Sequence, residues 1–487
     1  MRINVKKITI PKLIKLVRRL LKKINYLYQE RIFKFYPLQL LNEVQNRALQ
    51  INGVNEFHIE SIRLSNTEVS GRGLPRYQEE IISNGHFISI CPTCGKNIYS
   101  EKSLPVFVHG FDLPIFYKFS CCYEFYLISA KSPARILGIY IPQKNVIISL
   151  ENYIDYPHNL NYYGLKTFLI WIRELEGLKR VYSVQAQPQK ARKGKLLVLT
   201  GFLDNFGHHL PDEIGGLSQL SLSELSGLEI LIGPNDWFNL KNIFNEVEQY
   251  DESLKSNSPD LIGRVFSYIE KSGAFATRIT SNLPLSNAIC EKIINISKKQ
   301  LNKEKSNLLL EIQGTPIVWI TLRSHCRCWD GQVDGLSKVI NKLYLCFPNI
   351  AIVFDGLHRE TNSYELIKSN IHPQVKVFSV LGFSLYESIP FVVKCNLFIA
   401  PLGAGVALTS IPNIPGILHT HSEWAKQEFI IPSPRENGVN CIVIGGEITS
   451  GKDVFDFNYE ISTQKLFENA MKVLESLGFH SNTGLEG

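Results

Sequence analysis

The 487-residue sequence is narrowed first by what it lacks. No apolar run reaches the roughly 18–20 residues that cross a bilayer. The nearest, around Leu397–Leu408, is broken by Pro401, so no membrane span is expected. No compact apolar core with a small-residue cleavage site opens the chain, because Lys12, Lys15, Arg18, Arg19, Lys22 and Lys23 interrupt every candidate; a cleaved export signal is not expected. Ten cysteines are too few at this length for a disulfide framework, which favours reduced thiols in a cytoplasm. There is no G-x-G-x-x-G after a first strand with an acid some twenty residues on, which excludes the dinucleotide fingerprint. No Asp-x-Asp pair is present to hold a metal–diphosphate complex, and no internal repeat or low-complexity run is visible. With 44% apolar and 20% charged residues, 33 Gly and 23 Pro, the disordered and collagen-like classes are excluded too. A folded globular chain of about three domains, or two large ones, is expected.

The charge is local. The net charge is +7, yet residues 1–36 carry eleven Lys and Arg against the single acid Glu30, a net +10, which leaves about −3 on the other 451 residues. A basic surface over the whole body is thereby excluded, and nucleic acid is not an expected ligand of the folded part. Within the tail Leu13, Leu16, Val17, Leu20, Leu21, Ile24 and Leu27 recur at helical spacing between the basic residues, with Pro11 suited to a first turn. The expectation is a basic amphipathic helix at residues 1–36 that lies on an anionic membrane surface, each basic residue contributing on the order of 1 kcal/mol. The alternatives are a helix packed on the body with a solvated cationic face, or an RNA-binding arm. Peripheral attachment to the inner membrane face is the preferred reading.

Between 37 and 150 the pieces FHIESIRL, FISICP, LPVFVHGF, YKFSCCYEFYLI and RILGIYI predict a β-rich region. From about Tyr163 the texture alternates: a helix at 165–175, strands at 180–184 and 195–199, a helix opening near Pro211, and a strand at 228–232. Residues 246–312 read as a helical connector, with helices at 261–271 and 288–310. The clearest signal follows: strands at 316–323, 350–356, 375–381, 397–403 and 440–446 between helices at 332–346, 362–370, 384–394 and 462–477. These strands are short continuous apolar runs, as expected when both faces are covered. The fold class is therefore α/β, with a doubly wound domain at 313–487 and a partial one at 151–245.

In open α/β sheets ligands bind at the carboxyl ends of strands. The strand ending at Thr200 leads into GFLDNFGHHLPDEIGGL, which gathers Asp204, Asn205, His208, His209, Asp212 and Glu213 at a strand-to-helix transition. Pro211 and the two acids suit the first turn of a helix, and a His beside carboxylates suits proton abstraction from a hydroxyl at neutral pH. The alternative is a polar helix cap. The strand at 316–323 ends in LRSHCRCWDGQ, placing Arg323 and Arg327 at a strand end, where arginine matches the paired oxygens of a diphosphate. The alternative pairs them with Asp330 or Asp334. The strand at 397–403 runs into PLGAGVAL, where Gly403, Ala404 and Gly405 let backbone approach a ligand; a plain tight turn is the alternative. Asp355 and His358 close FDGLH, and His419 and His421 follow in PGILHTH.

Cys91-Pro92-Thr93-Cys94-Gly95 has the spacing of a zinc knuckle. The second pair that could complete four ligands, Cys121-Cys122, is adjacent, and adjacent residues point apart on a strand. His86 and His109 are spare ligands. Buried free cysteines are the preferred reading, with no metal, catalytic or structural, and no cofactor.

The strings DNFGHHLPDEIGGL, TLRSHCRCWDGQ and FSLYESIPFVVKCNLFIAPLGAGVAL together resemble the family 61 glycosyltransferases and related sugar transferases built from two Rossmann-like lobes, the GT-B type. Asn205, His208 and Asp212 match the family's Asn-x-x-His-x-x-x-Asp/Glu segment, Arg323 and Arg327 its arginine-bearing strand end, and Glu387, Gly403, Ala404 and Gly405 its last segment. Leu402 stands where the family usually has His. The resemblance covers about 60% of the chain and none of residues 1–150. It implies metal-independent transfer of a sugar from a nucleotide-sugar donor to a hydroxyl of a glycan or lipid-linked glycan in surface polysaccharide assembly. Residues 313–487 would form the donor lobe and 151–245 the acceptor-side lobe. His208, or else Asp212 or Glu213, would be the base. Arg323, Arg327, Glu387, Gly403, Ala404, Gly405 and His419 would bind the donor, with Glu387 on its ribose, and Asn205 and His209 the acceptor. The rivals are a polysaccharide pyruvyl transferase and a catalytically degenerate transferase-like scaffold.

Overall fold

Strand alternation and tight turns make the N-terminal region a meander. The computed structural model describes residues 33–37, 49–50, 52–106, 113–130, 134–150, 165–182, 196–203, 206–247, 249–251, 261–281, 283–403, 405–426, 441–452 and 456–481. They fall into two compact units, one drawn from 1–68, 76–194 and 259–277, the other from 69–75, 195–258 and 278–487.

In the first unit β1 (Lys34–Pro37), β2 (Ile88–Ile90), β3 (Asn97–Tyr99), β4 (Lys102–Pro105), β5 (Ile115–Ser120), β6 (Glu124–Ala130), β7 (Arg135–Ile141) and β8 (Val146–Ser149) are formed. Six of them make one sheet in the order β1-β8-β7-β6-β5-β4, while β2 and β3 form a separate hairpin. Strands β4 to β8 are an antiparallel meander, and β1 joins β8 in parallel. The helix Leu165–Tyr182 presents Phe168, Leu169, Trp171, Ile172 and Leu175 at helical spacing to Phe116, Tyr126 and Ile128 of the sheet. Gly138 on β7 permits that approach, since a Cβ there would lie 2.7 Å from the Phe168 ring. β12 (Phe275–Thr277) belongs to this unit as well, its Thr277 hydroxyl 2.8 Å from that of Tyr117.

The second unit contains both parallel-sheet lobes. In the smaller, β9 (Leu196–Thr200), β10 (Leu228–Ile232) and β11 (Gln249–Asp251) pair in parallel in the order β11-β10-β9. The larger is a seven-stranded sheet of β13 (Ile317–Thr321), β14 (Ala351–Asp355), β15 (Lys376–Ser379), β16 (Leu397–Pro401), β17 (Gly416–His421), β18 (Cys441–Ser450) and β19 (Asn458–Glu460), ordered β15-β14-β13-β16-β17-β18-β19. All pairs but β18–β19 are parallel. Counted from β13 the parallel strands run 3-2-1-4-5-6, the doubly wound order, with its switch point between β13 and β16. Helices Gln332–Cys346, Thr361–Asn370 and Thr463–Ser476 supply core side chains such as Leu336, Ile340, Ile367, Leu466 and Leu474. The fold is thus α/β with two Rossmann-like lobes, and the chain also contains a β-rich unit.

Several expectations are corrected. FHIESIRL is not a strand but part of the helix Glu56–Thr67, capped by Asn55 and burying Ile59, Ile62 and Asn66 at three- and four-residue spacing. Residues 180–182 are the end of the helix that begins at Leu165 rather than a strand. Residues 34–36, read as the end of the basic tail helix, lie in β1; the rest of that tail, residues 1–32, lies outside the described residues. The helix expected over 288–310 is two helices, Asn287–Lys299 and Lys303–Glu311. The first unit takes in the helix Leu165–Tyr182, which the boundary at 150/151 had assigned to the acceptor-side lobe. Strands β17 and β19 were not anticipated. Among the described residues no helix is long and apolar enough to cross a membrane.

Candidate active site

Beyond β9 the chain turns through Gly201, at φ 70°, into a helical stretch: Phe206–His208, the π-helical His209–Ile214, then Gly215–Ser218. Pro211 stands inside the π-helical segment rather than at a helix opening. π-helical turns inside helices recur at functional sites. Gly216 permits close packing, since a Cβ there would lie 2.6 Å from the carbonyl oxygen of Ile279.

Two His–carboxylate pairs at i, i+4 spacing result. His208 Nδ1 is 3.1 Å from Asp212 Oδ2, and the His208 side chain is 42% exposed. His209 is wholly buried, its Nδ1 2.8 Å from Glu213 Oε2 and its Nε2 at ion-pair distance, 3.7 Å, from Asp236 Oδ1. Glu213 also accepts from the Thr200 hydroxyl at 3.2 Å and the Gly201 N–H at 2.9 Å, and Arg278 donates to its other oxygen from Nε at 3.3 Å and Nη2 at 3.2 Å. Burial opposes charge on both partners but is overcome. Asp236 and Glu213 hold His209 up at about 9, and His209, Arg278 and the Gly201 N–H hold Glu213 down at about 2. Both stay charged at neutral pH. Asp236 also opposes ionisation of Tyr386, which burial first of all pushes up to about 12. Asp204 and Asn205 lie outside the described residues.

At the switch point the loop after β13 meets the loop after β16. Arg323 Nη1 donates to Leu402 O at 3.3 Å, and a Cβ on Gly403 would lie 2.7 Å from Arg323 Nη2. A side chain there would displace that guanidinium. Arg327, at φ 53°, lays its guanidinium 4.5 Å over the Trp424 ring, and its Nε is buried without a hydrogen-bond partner. Among the described residues no ion pair involves Arg323 or Arg327. Asp334 instead pairs with Lys338, and Asp330 accepts from Thr449. Burial lowers the affinity of both guanidines for their protons. The Arg323 charge adds to the effect on Arg327, which falls to about 10 and so stays cationic at neutral pH. Two neighbouring cations, neither in an ion pair, suit the binding of an anion, although the buried Glu360 carboxylate partly offsets the Arg323 charge.

The rest of the lobe holds this loop in place. Arg323 N donates to Gln332 Oε1 at 3.0 Å. β19 stitches the loop through Tyr459 N to Cys328 O at 3.1 Å and Asp330 N to Tyr459 O at 3.0 Å. Glu460 adds contacts to Trp329 Nε1 at 2.7 Å and Gly331 N at 2.9 Å. His419 is buried, with Nδ1 2.8 Å from the Tyr459 hydroxyl, which donates to its backbone oxygen at 3.1 Å. Burial, aided by the Arg323 charge, pushes His419 down to about 3, so it is neutral. His421 is also buried and caps the helix Ser422–Ala425, accepting from Trp424 N at 3.3 Å.

Glu387 closes a capping box on Leu385–Val392, accepting from Ser384 N at 3.0 Å and Oγ at 2.9 Å, and pairs with Lys305. Both of its oxygens are engaged within the protein. Gly405 caps the short helix Val406–Ser410, and Ala404 lies outside the described residues. The structure thus brings together Arg323, Arg327 and Gly403 at one site and His208, His209, Asp212 and Glu213 at another. Sequence reasoning missed Asp236, Arg278, Trp424 and Tyr459, which lie at remote positions with no motif of their own. It noted Asp355 without a role. That carboxyl ends β14 beside the switch point, within 3.4 Å of the Thr321 hydroxyl, and burial raises it to about 7 against the pull of the Gly356 N–H and Thr321.

No protein-family model matches the sequence, and a search of curated proteins finds no match. Among solved structures, the ADP-heptose LPS heptosyltransferase II of E. coli is 12% identical over 58% of this chain and 99% of that one, with a TM-score of 0.38. The glycosyl transferase family 9 protein from Veillonella parvula is 12% identical over 53% and 79%, at 0.29. The E. coli heptosyltransferase WaaC with ADP is 11% identical over 67% and 83%, at 0.28. These are partial likenesses of backbone course, and none carries a function across.

Proposed function

We propose that this protein is a glycosyltransferase that moves a sugar from a nucleotide-sugar donor to a hydroxyl of a glycan acceptor. The observation that carries the reading is the pair Arg323 and Arg327: cationic, partly buried, in no ion pair among the described residues, and set at the switch point of a doubly wound sheet. A leaving diphosphate is the anion whose charge grows during sugar transfer, and prepositioned guanidiniums stabilise that growth. The sequence resemblance to sugar transferases supports the same chemistry.

His208 is the base in this proposal. Asp212 orients its exposed imidazole, and the ring takes the acceptor hydroxyl's proton as the oxygen attacks the anomeric carbon and the diphosphate departs. His209 and Glu213 are too buried for that contact and act by fixing the stretch that carries His208. Arginines in place of a bridging metal are part of the proposal. A thermal-shift screen against UDP-, GDP-, CMP- and TDP-sugars and phosphoenolpyruvate tests it. A ligand at 100 times its dissociation constant stabilises by about 2.7 kcal/mol, so one nucleotide family is expected to raise the melting temperature. A response to phosphoenolpyruvate alone would replace the reading with pyruvyl transfer, and no response would replace it with a non-catalytic scaffold. In the His208→Ala protein, transfer is expected to fall by about 10²–10⁴-fold with donor binding unchanged. Equal turnover by radiolabelled-sugar assay would remove His208 from the mechanism.

The acceptor in this proposal is a lipid-linked glycan reached from the inner membrane face, with the basic tail as the surface contact. Deleting residues 1–32, which leaves β1 in place, is then expected to release the protein from anionic liposomes in a co-sedimentation assay. Undiminished pelleting of the shortened protein would reject that role.

A further inference from the structure

The thiols of Cys91, Cys94, Cys121 and Cys122 converge in the first unit, with all four sulfur atoms within 4.8 Å of one another. The sequence reading separated the last two on the ground that neighbours on a strand point apart. They do not lie on a strand. β5 ends at Ser120 and β6 begins at Glu124, paired to each other, so Cys121-Cys122-Tyr123 is the hairpin turn, where neighbouring side chains are free to face the same way.

The other pair sits on a tight knuckle between β2 and β3. Cys91 N donates to Lys96 O at 2.9 Å, Gly95 N donates to Cys91 O at 3.0 Å, and Gly95 takes φ 73°. Glycine is required there twice over, since a Cβ would also lie 2.6 Å from His58 Nε2. Cys94 and Cys121 are 3.5 Å apart at sulfur. A disulfide needs about 2.05 Å, whereas four sulfurs at about 2.3 Å from a tetrahedral ion are about 3.8 Å from one another.

The β2–β3 hairpin is a short element. Each strand is three residues long, the two form a sheet of their own, and Tyr99 is 61% exposed. A two-stranded hairpin is marginal in water by itself. Cys94, Cys121 and Cys122 are exposed while Cys91 is buried, so the cluster is not explained as apolar core.

We propose that these four cysteines form a structural Zn²⁺ site that ties the β2–β3 knuckle to the β5–β6 turn. Four thiolates complete a tetrahedron and leave no open position, which makes the ion structural rather than catalytic. Binding displaces the thiol protons to solvent. The site lies in the first unit and its existence does not depend on the transferase reading.

The test uses the full chain, purified without chelator. Elemental analysis is expected to find one zinc per chain that survives gel filtration. Replacement by Co²⁺ is expected to give the intense visible absorption and the thiolate charge-transfer bands of a tetrahedral tetrathiolate. Cys122→Ser should abolish the tetrathiolate spectrum, and Cys441→Ser, outside the cluster, should keep it. Absence of zinc together with no Co²⁺ charge-transfer band in the reduced wild-type chain overturns the proposal without recourse to any variant. So does mass spectrometry that finds Cys94 joined to Cys121 in metal-free protein. A Cys122→Ser chain with an unchanged tetrathiolate spectrum overturns the ligand set.

Discussion

Replacing Arg323 by Ala is expected to weaken nucleoside-diphosphate binding by about 10–100-fold, the equivalent of the roughly 1.5–3 kcal/mol of a hydrogen bond to a charged group, while leaving the ligand-free protein no less stable. The two halves of that outcome have one cause. In the ligand-free protein no ion pair among the described residues offsets the two charges, burial disfavours both, and the Arg323 charge further disfavours that of Arg327. Removing one cation relieves that repulsion, and an ion that binds a polyanion is then missed only when the ligand arrives. Sites held in readiness commonly trade stability for function in this way. Isothermal titration with UDP, GDP, CMP and TDP, alongside denaturant melts of the free protein, reads both halves. Unchanged affinity coupled with a lost melting transition would make Arg323 a structural residue. Gly403→Ala should copy the binding defect, because the added methyl occupies the space of the Arg323 guanidinium.

The largest effect on stability is expected from Glu213→Gln. Glu213 accepts from Thr200, Gly201, His209 and Arg278. Its neutralisation removes the carboxylate that both buried cations share, His209 keeping Asp236 at 3.7 Å. Breaking a buried ion pair costs about 3–5 kcal/mol, and chemical denaturation of the variant should show a loss of that order. The pH dependence follows from the two shifts. Glu213 is lowered from 4.5 to about 2, so its contribution is complete above about pH 4.5 and is lost as pH falls toward 2. His209 is raised from 6.5 to about 9, so its contribution is complete below about pH 6.5 and is lost as pH rises through 9. Both act in full only between about pH 4.5 and 6.5. A His209→Gln protein should lose the alkaline limb of the stability profile; an alkaline limb identical to that of the wild type would assign it to another group.

The large lobe was readable because its physics is local. β13, β14 and β16 are uninterrupted apolar runs whose faces are both covered, and Arg323 and Arg327 declare themselves by following one of them. The errors arose where burial is decided at a distance. In FHIESIRL the apolar residues at Ile59 and Ile62 fit a helix, but the leading Phe-His-Ile-Glu mimics a strand, and Phe57 proves 75% exposed. β17 was hidden because His419, Thr420 and His421 look like a polar loop; the two histidines are buried with their ring nitrogens engaged, His419 by the Tyr459 hydroxyl and His421 by Trp424 N as N-cap of the helix Ser422–Ala425. Arg278 reaches Glu213 across 65 positions, and no spacing rule relates them. The cysteine cluster depends on a hairpin turn between β5 and β6 that a run of β-forming residues does not announce.

The paired histidines carry a consequence for how insertions and deletions are tolerated ahead of them. His208–Asp212 and His209–Glu213 are the same i, i+4 arrangement displaced by one position, so a one-residue slip of the segment would offer the interior a chemically similar couple. What separates the two frames is a single methylene. Glu213 is long enough to meet Arg278 with one oxygen and the Gly201 N–H and Thr200 with the other. Aspartate, shorter by that carbon, would satisfy one side and abandon the other. The reading frame of the helical stretch, and with it the choice of which imidazole faces solvent, is set by the reach of one side chain.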